Sequence, residues 1–114
     1  EVSLGDTVGR GTPEMTDALL SACLNIAETS KLAGHFHDTS GRALENIEVA
    51  LDHGLRCFDA AVGGLGGCPY APGAAGNVAT EAVTDLMYAK GFETGLDREK
   101  LLQAASFAKT LRSV

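Results

Sequence analysis

The sequence lacks tryptophan, and aromatic residues make up only 5% of its 114 positions. Basic residues are also few, with 9 lysines and arginines against 15 acids, and they form no run. Nucleic-acid binding needs clustered Lys and Arg to neutralise phosphates, often with aromatic residues between them. A formal net charge of -6 without such clusters therefore excludes nucleic acid from the expected partners.

Cysteines are too few and too irregularly spaced to build a scaffold. The chain has three, Cys23, Cys57 and Cys68, and none forms a Cys-x-x-Cys pair. An odd number at these spacings argues against a disulfide framework and a structural zinc site, and it favours a reducing compartment.

Long apolar segments are missing as well. The uncharged stretch at residues 60–80 contains two prolines and six glycines but few large apolar side chains, so it predicts a loop and no membrane span.

The chain begins in a predicted strand without an initiating methionine, and we expect it to be a piece of a longer protein.

What is present is an alternation of strands and helices. Strands are predicted at 2–9, 31–38 and 55–64, and helices at 12–28, 41–54, 78–91 and 97–114. Thr12 and Asp97 are predicted N-caps, Pro13 opens the first helix, and Gly54 ends the second. The apolar faces expected to pack are Met15, Leu19, Ala22 and Ile26, then Leu44, Ile47 and Leu51, then Val83 and Leu86. Strands that are each followed by a helix predict a parallel sheet, and three of them are too few for a complete barrel.

The most informative short motif is His35-Phe36-His37 at the end of the second predicted strand. Residues i and i+2 of a strand share a face, so the two imidazoles should project together while Phe36 points the other way. In parallel α/β folds chemistry gathers at the carboxyl ends of the strands, where Asp6 and Asp38 also lie. Imidazole nitrogens with carboxylate or amide oxygens suit Mg²⁺, Mn²⁺ or Zn²⁺.

The glycine-rich loop after the third strand carries Cys68. It lacks the third glycine of a dinucleotide fingerprint, where Pro69 stands, and the lysine of a P-loop. Its glycines still permit close approach to a substrate, so Cys68 is the candidate reactive thiol, whereas Cys23 and Cys57 are predicted to be buried packing residues. Asn77 and Glu81 follow the loop as a possible oxygen ligand and base, with helix capping and solvation as the alternatives.

The segments "SLGDTVGRGTP", "HFHDTSGRALEN" and "GGLGGCPYAPGAAGNVATE" closely resemble 3-hydroxy-3-methylglutaryl-CoA lyases over essentially the whole chain. The His-x-His strand is shared by a wider superfamily of metal-dependent barrels, including isopropylmalate and homocitrate synthases. The cysteine loop singles out the lyases. The resemblance implies an α/β fold, the C-terminal part of a (β/α)8 TIM barrel. Residues 1–114 would then be a partial lyase domain of three parallel strand–helix units plus a terminal helix.

The resemblance also implies an activity and a site. The family cleaves hydroxymethylglutaryl-CoA, an acyl-CoA, to acetoacetate and acetyl-CoA with Mg²⁺ or Mn²⁺, in leucine breakdown. Positions matching His35, His37 and Asn77 bind the metal, the position matching Cys68 is catalytic, and those matching Asp6 and Glu81 are implicated in the site. The family's remaining Asp ligand and catalytic Arg have no match here.

Two other interpretations stay open. A Claisen-type acyl-CoA condensing enzyme of the same superfamily would use the same metal, and a non-catalytic divalent-metal-binding module would use it structurally. For the full-length protein we expect a homo-oligomer, a dimer, in a bacterial cytoplasm or alternatively a mitochondrial matrix.

Overall fold

The computed structural model describes residues 1–66 and 76–111. It contains a parallel sheet of three strands in the order β1-β2-β3, each connected to the next through a helix. The strands are β1 Val2–Asp6, β2 Leu32–Phe36 and β3 Phe58–Asp59. The α-helices are α1 Pro13–Cys23, α2 Ala43–Asp52, α3 Thr80–Ala89 and α4 Arg98–Thr110, with short 3₁₀ turns at Thr29–Lys31 and Val62–Gly64. Three parallel strand–helix units and a terminal helix are therefore confirmed.

The strand register brings the predicted functional residues to one edge of the sheet. Asp6 lies opposite Phe36, and His35 lies opposite both Gly5 and Asp59. Because the strands are parallel, their carboxyl ends meet at the same rim. The ends of β1, β2 and β3 thus form one surface.

The sheet and helices enclose two adjoining apolar clusters. One contains Phe36 with Ile47 and Leu51 of α2 and Val83 and Met87 of α3. The other contains the buried residues Leu20, Leu32, Ala50 and Leu55. The predicted face of α2 is confirmed for Ile47 and Leu51, and Leu44 packs on its margin. In α3, Val83 is buried as predicted, and Leu86 packs at the edge of the core.

The predicted face of α1 is wrong, although its cap is right. The Thr12 hydroxyl accepts from the Met15 amide and Pro13 begins the helix, but the helix ends at Cys23. Met15, Leu19 and Ile26 are exposed, and Ala22 also lies at the surface. The buried positions are Thr16 and Leu20, because the Thr16 hydroxyl donates to Asn46 Oδ1 of α2 across a buried contact of 2.9 Å. Apolar periodicity cannot detect a helix face that is anchored by a polar pair.

The third strand is much shorter than predicted. Only Phe58–Asp59 is a strand, and the Val62–Gly64 turn follows almost at once. Gly63 and Gly64 have φ angles of 66° and 68°, in the left-handed region that ends an extended strand. Cys57 precedes β3 and is exposed, so the prediction that a strand buries it is wrong. Cys23 is half-buried against the second cluster.

Helix α4 begins as predicted, with the Asp97 carboxylate accepting from the Lys100 amide. It packs against α3 and against the Val62–Gly64 turn. None of the described helices is long and apolar enough to cross a membrane.

The free edge of β1 predicts how residues 1–114 behave when expressed alone. In the described part of the chain β1 pairs only with β2, and Val2 is 53% exposed. Unpaired edges recruit other strands, so we expect this polypeptide to be inactive and to aggregate. Size-exclusion chromatography and thermal unfolding measure this, and Val2→Lys should reduce the aggregated fraction. A monomer with a cooperative melt would contradict the prediction.

Candidate metal centre

His35 in β2 and His37 just after the end of that strand lie side by side, as their spacing predicts. Their ring centroids are 5.0 Å apart and the rings are nearly perpendicular, at 82°. Phe36 between them is buried in the core on the opposite face. Both imidazoles therefore project from the sheet face that is turned away from α2.

The ring of His37 is held by β1. Its Nδ1 lies 2.8 Å from the backbone carbonyl oxygen of Asp6. A carbonyl oxygen can only accept, so Nδ1 carries a proton, and in the neutral ring the lone pair then lies on Nε2. This is the arrangement by which a metal-ligating histidine is oriented, with one ring nitrogen donating to an oxygen and the other left for the ion.

His35 has a similar partner that the sequence did not reveal. Its Nδ1 lies 3.5 Å from Oδ2 of Asp59 on β3, and the Ser3 hydroxyl donates to the same carboxylate oxygen at 3.4 Å. The Asp59 side chain is exposed, so this contact adds little stability. The sequence does show an acid, Asp59, within the third predicted strand, but only the register of β2 and β3 places it beside His35.

Asn77 is the third candidate donor. Its backbone pairs with His37 in an isolated antiparallel bridge, and its side-chain Nδ2 donates to the Leu65 carbonyl at 3.0 Å. Its Oδ1 is buried and has no hydrogen-bond partner among the described residues. A buried acceptor without a partner is costly, so a cation at this oxygen would satisfy it. The capping alternative for Asn77 is wrong, because the N-cap of α3 is Ala79.

The carboxylate of Asp6 is engaged by the backbone of the loop that follows β1. Oδ1 accepts from the amides of Gly9 and Arg10 at 3.0 and 3.2 Å, and Oδ2 accepts from that of Gly11 at 2.8 Å. A side chain at residue 11 would meet this carboxylate, since a Cβ there would lie 2.9 Å from Oδ2. Asp6 thus shapes the loop with its side chain and orients His37 with its carbonyl.

Asp38 and Glu81 also bind backbone amides. The Asp38 carboxylate accepts from the Ala43 amide at 3.1 Å and so stabilises the start of α2. Glu81 Oε2 accepts from the Gly63 amide at 3.0 Å, which ties α3 to the turn that precedes the glycine-rich loop. Cys68 lies outside the described residues.

The donor set is therefore two imidazoles and one carboxamide oxygen. No cluster of three or more His, Cys, Asp or Glu side chains able to hold a metal exists within residues 1–66 and 76–111. The fit to a divalent ion rests on the adjacent rings, the fixed tautomer of His37 and the buried Asn77 oxygen.

Substitution of Asp6 should separate a loop-shaping role from a direct chemical one. In Asp6→Asn, an NH₂ group replaces one of the two carboxylate oxygens and would face a backbone N–H group that needs an acceptor. We therefore expect the free energy of unfolding to fall by about 2 kcal/mol. Denaturant unfolding of the full-length protein measures this, with Asp52→Asn on the exposed surface of α2 as the control. A variant of normal stability whose turnover fell 100-fold or more would instead make Asp6 a direct participant.

The comparisons with known proteins show the family to which this chain belongs. The HMGL-like family model matches residues 1–108. The chain belongs to the HMGL-like family. Hydroxymethylglutaryl-CoA lyase of Pseudomonas mevalonii is 52% identical over 103 residues, which are 90% of this chain and 34% of that protein. The mitochondrial hydroxymethylglutaryl-CoA lyase of Rattus norvegicus is 49% identical over 94% of this chain and 33% of that protein.

Solved structures place the HMGL-like chain in the same fold. The HMG-CoA lyase of Brucella melitensis is 60% identical and superposes with a TM-score of 0.97, covering 100% of this chain and 40% of that one. A structure of an Acinetobacter baumannii HMG-CoA lyase in complex with coenzyme A and 3-methylmalate is 41% identical with a TM-score of 0.83, over 90% of this chain and 34% of that one. The predicted fold, part of a TIM barrel, is confirmed. The HMGL-like chain spans about a third of the length of these curated relatives.

Proposed function

We propose that this chain contributes the metal-binding rim of a carbon–carbon lyase that cleaves 3-hydroxy-3-methylglutaryl-CoA to acetoacetate and acetyl-CoA. The observation that carries the proposal is the pair of adjacent imidazoles, with Asn77 bridged to His37 and its buried amide oxygen lacking a hydrogen-bond partner among the described residues. It occurs in a chain about half identical to relatives named hydroxymethylglutaryl-CoA lyases.

The cation would be held by His35 and His37 through their Nε2 atoms and by Oδ1 of Asn77, together with donors from the remainder of the protein. We propose Mg²⁺ or Mn²⁺, the ions that the resemblance to the lyases implies; the amide oxygen suits both, whereas imidazole nitrogens are more typical ligands of transition metals. When bound, such an ion supplies positive charge that polarises substrate oxygens and favours the ionised alcohol.

The protein's own residues keep this site in a fixed form. The Asp6 carbonyl holds His37 as the Nδ1–H tautomer, so the lone pair on Nε2 points away from β1. The Leu65 carbonyl accepts from Nδ2 of Asn77 and thereby fixes which end of the amide is the oxygen donor. Glu81 holds the Gly63 amide and with it the start of the loop that carries Cys68.

The reaction needs one proton removed and one returned. The tertiary hydroxyl loses its proton to a base, for which Glu81 is the candidate; the adjacent carbon–carbon bond breaks to leave acetoacetate, and the bond's electron pair stays on the acetyl-CoA enolate. We propose Cys68 as the acid that protonates this enolate carbon, because a neutral thiol can donate whereas the two histidines have their lone pairs engaged. Asp6 and Glu81 are the proposed carboxylates of the site, and they position the loops in which its donors lie.

The test is direct. The full-length protein, incubated with hydroxymethylglutaryl-CoA and Mg²⁺, should release acetoacetate and acetyl-CoA in equal amounts, and EDTA should stop the reaction. Condensation without cleavage would identify a synthase of the same superfamily. Metal binding without either reaction would indicate a structural module, and both outcomes would contradict the proposal.

We further propose that the full-length protein is a homodimer acting on a small acyl-CoA. Its expected location is a bacterial cytoplasm, with the mitochondrial matrix as the alternative, since the relatives include a Pseudomonas enzyme and forms named mitochondrial. Sedimentation of the full-length protein tests the dimer.

A further inference from the structure

Helix α4 buries only small side chains. Ala105 and Ala108 are 3% and 5% exposed, whereas the larger Leu102, Phe107 and Leu111 lie at the surface. Arg98 of α4 forms an exposed ion pair with Asp85 of α3. Its Nε and Nη2 donate to the two carboxylate oxygens at 3.0 and 3.4 Å. An alanine face allows α4 to approach another backbone closely.

The backbone that it approaches is the Val62–Gly64 turn. A Cβ built on Gly63 would lie 3.2 Å from the Ala105 carbonyl oxygen and 3.2 Å from the Ala108 Cβ. Gly63 also has a φ of 66°, which L side chains rarely adopt. A side chain at residue 63 would therefore crowd α4 and also strain the backbone.

The same turn is tied to the metal centre on its other side. The Gly63 amide donates to Glu81 at 3.0 Å, and two residues later the Leu65 carbonyl accepts from Nδ2 of Asn77 at 3.0 Å. Gly66 also packs closely against Asn77, since a Cβ there would come within 2.8 Å of that same Nδ2. A displacement of the turn would move the acceptor that orients the Asn77 amide.

We infer that Ala105 and Ala108 of α4 are positioning residues for the metal centre. By packing against Gly63 they fix the Val62–Gly64 turn, and through Leu65 they fix the direction of Oδ1 in Asn77. The inference rests on the proposed function only in taking that oxygen as a cation ligand. Helix α4 would then influence metal affinity although it contributes no ligand.

Three variants of the full-length protein test it. Ala108→Leu adds bulk against Gly63, Ala104→Leu makes the same change at an exposed position one turn away, and Ala108→Gly weakens the helix without crowding the turn. Mn²⁺ binding, followed by the EPR signal of the free ion, should weaken about tenfold in Ala108→Leu, within the range seen when a ligand's supporting partners are altered. Ala104→Leu should bind Mn²⁺ as the wild type does, and Ala108→Gly, which removes the packing methyl without crowding the turn, should weaken binding less than Ala108→Leu.

Hydrogen exchange gives a readout that needs neither metal nor substrate. The amides of residues 61–65 should exchange faster in Ala108→Leu than in the wild type or in Ala104→Leu. Equal exchange and equal Mn²⁺ affinity in all folded variants would overturn the inference, as would an Mn²⁺ loss in Ala104→Leu as large as that in Ala108→Leu. A wild type that binds Mn²⁺ normally but does not cleave the thioester substrate would overturn the proposed function and leave this inference standing. A wild type that binds no Mn²⁺ would overturn both the metal centre and the link from α4 to it.

Discussion

His35→Ala and His37→Ala, made separately in the full-length protein, should each weaken Mn²⁺ binding more than about 100-fold and remove most of the lyase activity. Loss of supporting partners alone costs a metal site about 10- to 100-fold in affinity, so loss of a ligand should cost more. The fold should survive, because both rings project away from the core that holds Phe36. Mn²⁺ titration and an acetoacetate assay measure the two effects.

The third histidine of the chain is a matched control. His53 ends α2 and its Nε2 lies 2.6 Å from Oδ1 of Asp17, outside the candidate metal centre. His53→Ala should therefore keep normal Mn²⁺ affinity and turnover, even if it loses some stability. Normal metal content and activity in either His35→Ala or His37→Ala would make the ligand assignment wrong.

Cys68→Ala should lower turnover by about 10²- to 10⁴-fold, the range for loss of one general acid or base. Mn²⁺ affinity should change little, because the thiol is proposed to protonate the enolate and not to bind the cation. Cys23→Ala and Cys57→Ala should retain most activity, and Cys57→Ala should also cost little packing, since that side chain is exposed. A Cys68→Ala enzyme with normal turnover would require another proton donor.

Alkylation provides an independent test of the same assignment. Desolvation, followed by the hydrogen bond to Glu1 and the charges of Glu1 and Asp59, raises the pKa of the Cys57 thiol. A raised pKa lowers the thiolate fraction near neutral pH, so Cys57 should react slowly despite its exposure. We expect inactivation to follow modification of Cys68, and substrate to protect it. Inactivation that followed Cys57 instead would contradict the assignment.

The parts of the structure that were predicted correctly depend on short sequence separation. The alternation of side chains along a strand places His35 and His37 together, and local hydrogen bonds make Thr12 and Asp97 caps. The period of α2 correctly predicts Ile47 and Leu51 in the core. Each of these features depends on residues that are only a few positions apart in the sequence.

The features that were missed depend on contacts between distant residues. Thr16 and Asn46, 30 positions apart, decide which face of α1 is buried, and an apolar pattern cannot register a polar pair. The bond from the Gly63 amide to Glu81, which was predicted as a possible base, spans 18 positions and follows from the path of the turn. Asp59 acquires its place beside His35 only through strand register.

The most direct measurement is the anomalous diffraction of Mn²⁺ in crystals of the full-length protein. The account predicts one strong peak about 2.0–2.3 Å from Nε2 of His35, Nε2 of His37 and Oδ1 of Asn77, the distances usual for nitrogen and oxygen ligands. A peak elsewhere, or an ion bound to the two rings with Asn77 Oδ1 turned away from it, would contradict the central claim.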